Sequence, residues 1–196
     1  KDYYSVEYGD VYVAVINNSA DLSAACEWLK QDAAQSTCMW KILSIHQPPY
    51  YTNAKSGSNE QFHEHIPAAA EAAGIDVVFS GHDHSYARIM AKDGEPVTEN
   101  GVTYFICGDL GEKSREADYA ITSDFSFAYK EQAYEGLVMY VTANDKEMLV
   151  SAYDSKDGRL VDSTTLQSRC SRGHQLTTYQ NGESACAVCG KMRSEE

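Results

Sequence analysis

Val77-Val78-Phe79-Ser80-Gly81-His82-Asp83-His84 is an apolar, mostly β-branched or aromatic run that ends abruptly in a glycine and two imidazoles. It reads as a buried strand that stops where side-chain chemistry begins. Neutral imidazoles are good ligands for borderline metal ions, and Gly81 lets the backbone turn sharply enough to aim them. Histidines one residue apart also occur as polar turn residues, so the pair alone leaves metal binding and a plain turn both open. The flanking sequence shifts that balance. Residues 40–45 (WKILSI) form a second strand that runs directly into His46 and the rigid Pro48-Pro49 pair. Between the two strands, residues 59–73 carry a helical pattern, with Ser58 and Gln61 as a capping box and Gly74 as the stop. Strand, helix and strand make one βαβ unit. Its right-handed crossover sets the strands parallel, so both end on the same sheet edge, where open α/β folds place their ligands. His46, His82 and His84 are expected to converge there.

Working outward, residues 10–16 (DVYVAVI) are almost continuously apolar and suit a strand covered on both faces, as in a sheet with helices on each side. Leu22, Ala25, Cys26, Leu29 and Ala33 then recur at helical spacing, with Asn18, Ser19 and Asp21 available to cap the first turn. Beyond the histidine pair, residues 102–107 (VTYFIC) read as a strand and residues 108–124 as a long charged loop. Residues 137–143, 148–153 and 160–166 follow as a meander, with turn signals at Asn144-Asp145 and Asp157-Gly158. After Leu166 the composition turns to polar residues, glycine and cysteine, which divides the chain into 1–166 and a tail, 167–196.

The order Ile42-Leu43-Ser44-Ile45-His46-Gln47-Pro48-Pro49-Tyr50, then Val77 to His84, then Ser85-Tyr86-Ala87-Arg88, resembles the last two signature motifs of calcineurin-like metallophosphoesterases. The Tyr-x-Arg ending looks most like purple acid phosphatases. Further support comes from Tyr3-Tyr4-Ser5-Val6-Glu7-Tyr8-Gly9-Asp10, from Glu27-Trp28-Leu29-Lys30-Gln31-Asp32 and from the meander, so the resemblance covers residues 1–166. It implies an α/β fold, half of an α/β/β/α sandwich with a C-terminal antiparallel meander and a small Cys-rich tail. It implies that His46 and His82 bind one metal ion and His84 a second. Two divalent or trivalent ions of iron, zinc or manganese would serve a phosphate-ester substrate. In such centres a metal-activated hydroxide attacks the phosphoryl group in line while the cations neutralise charge on its oxygens.

The family's earlier motifs, Asp-x-His, Gly-Asp-x-x and Gly-Asn-His-(Asp/Glu), do not occur in the chain. Gly9-Asp10-Val11-Tyr12 imitates the second by eye, but it stands in the wrong order relative to the others and is set aside. The resemblance thus places the remaining ligands before Lys1, with the missing N-terminal half of the domain as a partner. The chain alone is expected to be inactive and to associate through its exposed sheet. The alternative is a non-catalytic protein-interaction or cell-surface module on an incomplete phosphoesterase fold. Family habit points to secretion or the cell envelope. The family carries leaving-group histidines in the loop where this chain reads Asn53-Ala54-Lys55-Ser56, leaving Lys55 as either an electrostatic aid or an exposed loop residue.

Composition limits the alternatives. Sixteen Lys and Arg against 29 Asp and Glu leave a net charge of −13, which disfavours tracking along a nucleic-acid backbone. No run approaches the roughly 18 apolar residues of a membrane span. His63 and His65 lie two apart on the helical stretch and point to different faces, which reads as solvated helix surface. Cys26, Cys38 and Cys107 read as small buried hydrophobes. The tail offers Cys170, His174, Cys186 and Cys189, two close pairs that suit a closed tetrahedral zinc site with Gly190 as a knuckle turn. A disulfide among these cysteines, or disorder, remains the other reading of that stretch.

Overall fold

Tyr3–Tyr8 (β1) and Val11–Ile16 (β2) pair antiparallel through a Gly9-Asp10 turn, where Gly9 takes a left-handed φ of +57° that costs glycine little. This hairpin opens the computed structural model, which describes residues 2–53, 60–111, 113, 115–118, 120–128, 136–168, 176–178 and 184–186. Asp21 then caps Leu22–Ala33 (α1), its carboxylate accepting from the Ala24 amide at 3.0 Å. Trp40–Ile45 (β3) follows, then Glu60–Ala72 (α2), Val77–Ser80 (β4), Tyr86–Lys92 (β5), Glu95–Pro96 (β6) and Val102–Cys107 (β7). With Phe127–Ala128 (β8) these strands form one sheet in the order β1-β2-β3-β4-β7-β5-β6, with β8 alongside β5. Strands β2, β3, β4 and β7 are parallel neighbours, so their carboxyl ends share one edge.

Both helices pack on the same face of this sheet. The two crossovers step in the same direction along the strand order, and crossovers of one hand then put both helices on one face. Ala25, Leu29 and Ala33 of α1 and Phe62, Ile66 and Ala70 of α2 meet Ala14, Leu43, Val78 and Tyr104 there. The expected helices on each side of the sheet are therefore corrected: strands cover the opposite face. Leu137–Ala143 (β9), Glu147–Asp154 (β10) and Leu160–Gln167 (β11) form an antiparallel sheet in the order β11-β10-β9. Its Met148, Val150, Ala152 and Leu166 pack on Trp40, Ile42, Val77 and Phe105. Burying aliphatic side chains the size of Val150, Met148 and Leu166 contributes about 1.5–3 kcal/mol each. The alternation along β3 and β4 serves both layers at once, with Ile42 and Val77 facing the meander and Leu43 and Val78 facing the helices.

Two polar clips tie the meander to the main sheet. Trp40 Nε1 donates to Asn144 O at 2.7 Å, in the first predicted turn. In the second clip, Arg88 of β5 holds Asp162 of β11 through Nε to Oδ2 at 2.9 Å and Nη2 to Oδ1 at 3.3 Å, and Tyr86 donates its hydroxyl to Oδ2 at 3.0 Å. The meander does not reach the far end of the face it covers. Tyr4, Val6 and Tyr8, paired with Val15, Val13 and Val11 on that face, are 48%, 53% and 87% exposed.

Leu176–Thr178 (β12) and Ser184–Cys186 (β13) pair antiparallel in the tail. Cys186 is buried with Met39, Trp40 and Met148. Cys170, His174 and Cys189, the other three expected zinc ligands, lie outside the described residues, as do Lys55 and Ser58.

Candidate metal centre

Parallel pairing of β3 with β4 brings His46 and the Gly81-His82-Asp83-His84 turn to one edge, and the Gly81 amide donates to His46 O at 3.0 Å. A Cβ built on Gly81 would lie 3.4 Å from His46 Nδ1, so the glycine lets the turn run close beneath the imidazole. The rings of His46 and His82 meet edge to face, centroids 5.3 Å apart and planes at 88°. Partial burial lowers the His46 pKa first, and the neighbouring imidazoles of His82 and His84 lower it further. Both effects disfavour the protonated ring, which leaves a lone pair to bind a cation.

The turn that carries the histidines is strained, since His82 and His84 adopt φ of 67° and 56°, a left-handed region that costs a non-glycine residue on the order of 1 kcal/mol. A buried network holds it there. Asp83, 1% exposed, accepts from Thr52 N at 2.6 Å and from Thr52 Oγ1 at 2.9 Å. The Thr52 hydroxyl is also hydrogen-bonded to Ser85 Oγ. The loop after β3 and the loop after β4 are thus pinned to each other through Asp83. Asn18, at the end of β2, accepts the Gln47 amide at 3.1 Å and fixes the residue after His46.

His84 Nδ1 lies 3.5 Å from Asp109 Oδ2. Its carbonyl accepts the Arg115 amide at 2.8 Å, so the loop after β7 also folds onto the histidine turn. A cavity of about 610 Å³ opens beside His46, with Asn18, Ser44, Phe79, Gly81 and Cys107 among its walls. Burial pushes the Cys107 thiol up to about 12, which keeps it protonated and a poor ligand.

The structure therefore juxtaposes His46 with His82 and sets His84 against Asp109. Among the described residues, no group of three or more His, Cys, Asp and Glu side chains is placed to hold a metal ion. Imidazole nitrogens fit the role of donors to borderline ions, and His46 lines the cavity. His63 and His65 are exposed on α2. His63 donates from Nδ1 to Pro49 O at 3.0 Å and packs against Tyr50. Gly9 and Asp10 lie at the opposite end of β2 from His46, in the hairpin turn. Sequence reasoning did not find Asp109, Thr52 or Asp162. Only Asp109 carried a signal: it follows Gly108 at the carboxyl end of a parallel strand, on the histidines' own edge.

A parallel sheet ending in imidazoles on one edge, backed by two helices and clamped to an antiparallel meander, is similar in fold to a solved purple acid phosphatase. No family model matches the chain. Purple acid phosphatase 22 of Arabidopsis thaliana is 30% identical over 118 residues, which cover 57% of this chain and 27% of that protein. The chain thus spans about a quarter of that curated relative's length. Among solved structures, a purple acid phosphatase from yellow lupin (Lupinus luteus) seeds superposes with a TM-score of 0.60 at 15% identity, covering 84% of this chain and 32% of that one. GAP50, the anchor in the inner membrane complex of Plasmodium, superposes with a TM-score of 0.57 at 18% identity, covering 85% and 53%.

Proposed function

We propose that His46, His82 and His84 are ligands in a dinuclear metal centre that hydrolyses phosphate esters, with His46 and His82 on one ion and His84 on the other. The observation that carries this reading is the edge-to-face pair of His46 and His82 at 5.3 Å, delivered by adjacent parallel strands to one sheet edge, with His46 lining a cavity. Similarity to Arabidopsis purple acid phosphatases supports the reaction class. When bound, the two ions would supply Lewis acidity toward the phosphoryl oxygens and a hydroxide nucleophile at moderate pH. This chain's residues do the rest of the work. His46 offers a lone pair because its surroundings disfavour its protonation, and at Gly81 the turn passes close to that ring. Asp83 and Thr52 hold the strained turn, so that His82 and His84 are fixed before any ion arrives.

The reading makes two predictions for residues 1–196. Titration with Mn²⁺, which thiolates take poorly, should show binding that His46→Ala, His82→Ala and His84→Ala each weaken by more than the roughly 10–100-fold typical of an outer-shell change. Turnover of an aryl phosphate by the same polypeptide should be undetectable, because three imidazoles without further carboxylates do not balance two dications. Unchanged Mn²⁺ affinity in all three variants would refute the ligand assignment, and turnover abolished by His82→Ala would refute the inactivity. A second reading, a non-catalytic interaction module, draws on the exposed Tyr4, Val6 and Tyr8 stripe and on the likeness in fold to the GAP50 anchor.

A further inference from the structure

The loop after β7 brings the Asp109 carboxylate to His84. Gly108 takes a φ of +68° and turns the chain off the strand end. Asp109 is then fixed on both sides: its carbonyl accepts the Leu137 amide at 2.7 Å and its Oδ1 faces the Gly111 amide at 3.3 Å. Gly136 supports the same segment, because a Cβ there would fall 2.8 Å from the Leu110 carbonyl carbon. The result is an Asp109 side chain only 12% exposed, with Oδ2 3.5 Å from His84 Nδ1. The loop closes on its target a second time through the Arg115 amide and His84 O.

An imidazole can give a metal ion only one of its nitrogens, and the partner of the other nitrogen decides which. A carboxylate beside Nδ1 favours a proton on Nδ1 and leaves the Nε2 lone pair free. We propose that Asp109 is the positioning residue of the centre: it sets the tautomer and the ring orientation of His84, so that Nε2 is the metal-binding nitrogen. The proposal rests on the reading of His84 as a ligand and adds to it a residue from a loop that the sequence marked only as charged. Asp109 acts through His84 and contributes no donor of its own.

The test has a readout that needs no metal. Long-range proton–nitrogen correlation spectra of the metal-free chain should show His84 protonated on Nδ1. Asp109→Ala should shift it toward the Nε2-protonated form, whereas Asp109→Asn, which keeps a side-chain oxygen able to stand beside Nδ1, should keep more of the Nδ1 proton. Mn²⁺ titration of the same samples should show affinity reduced about 10–100-fold by Asp109→Ala and less by Asp109→Asn, the magnitude typical of an outer-shell carboxylate. A His84 protonated on Nε2 in the unsubstituted chain overturns the proposal. So does a loss in Asp109→Ala as large as that in His84→Ala, which would make Asp109 a ligand. If His84→Ala weakens binding and Asp109→Ala leaves it unchanged, the positioning role is wrong while the ligand assignment stands. If His84→Ala leaves binding unchanged, the assignment beneath it fails instead.

Discussion

Removing the carboxylate of Asp162 would strand a guanidinium and a phenol between two sheets. Arg88 approaches it through two N–H groups at 2.9 and 3.3 Å, and Tyr86 adds a third donor at 3.0 Å. The side chains of Arg88 and Asp162 are 16% and 8% exposed, so solvent screens the pair little. An exposed ion pair contributes about 0–1 kcal/mol, whereas removing one partner of a buried pair costs about 3–5 kcal/mol. Asp162→Ala should fall in the upper range, because three donors lose their acceptor. Arg88→Ala should lie near the lower end, since Tyr86 still donates to the remaining carboxylate. The double variant should cost less than the sum of the singles, by up to about 3 kcal/mol, as expected for residues in one network. Urea unfolding followed by circular dichroism and by the fluorescence of Trp40, which sits in the same core, measures all three. Single variants that each cost under about 1 kcal/mol and add without coupling would place the pair in the surface class and refute the clamp.

Two further outcomes follow from buried polar groups. Asp83→Ala should destabilise the chain by about 3 kcal/mol, since it leaves the buried Thr52 amide and hydroxyl without a charged acceptor; Mn²⁺ affinity should fall with it, and a variant as stable as its parent in urea would contradict the network. Burial, followed by Glu71 and Glu95, pushes Tyr50 from 10.0 up to about 12. Burial raises Tyr12, Tyr86 and Tyr104 still further, aided by Asp32, Asp162 and Tyr50 respectively. Raised acids stabilise the fold fully below the ordinary tyrosine value, and that stability is lost as pH climbs through the folded values. These four phenols should therefore ionise only in step with alkaline unfolding; a phenolate absorbance titration in which they ionise while circular dichroism stays native would contradict their burial.

Most of the frame that carries the histidines was legible from periodicity. The runs 40–45 and 77–80 announce buried strands, α1 and α2 show their apolar spacing, and the two meander turns carry Asn144-Asp145 and Asp157-Gly158. Strand β1 was not, because YYSVEY alternates aromatic and polar residues with an exposed face and reads equally well as loop. Strand β5 reads in sequence as the ending of a motif, although Ile89 and Ala91 face the helices while Tyr86 and Arg88 reach Asp162. The site's supporting residues stayed hidden for a related reason. Thr52 is 31 residues from Asp83, and Asp162 is 74 from Arg88. A carboxylate at such a distance looks like any other surface charge until the chain has folded. The helices' common face was mistaken because apolar strand composition reports that both faces are covered without saying by what.

The link from Thr52 to Asp83 and Ser85 has a consequence for how this chain tolerates change. Two surface loops that never adjoin in sequence are soldered at their middles, so neither can change length alone. An inserted residue between Tyr50 and Thr52 would be felt at His82 and His84 as a turn released from its left-handed twist, and only a matching adjustment after Gly81 could restore it.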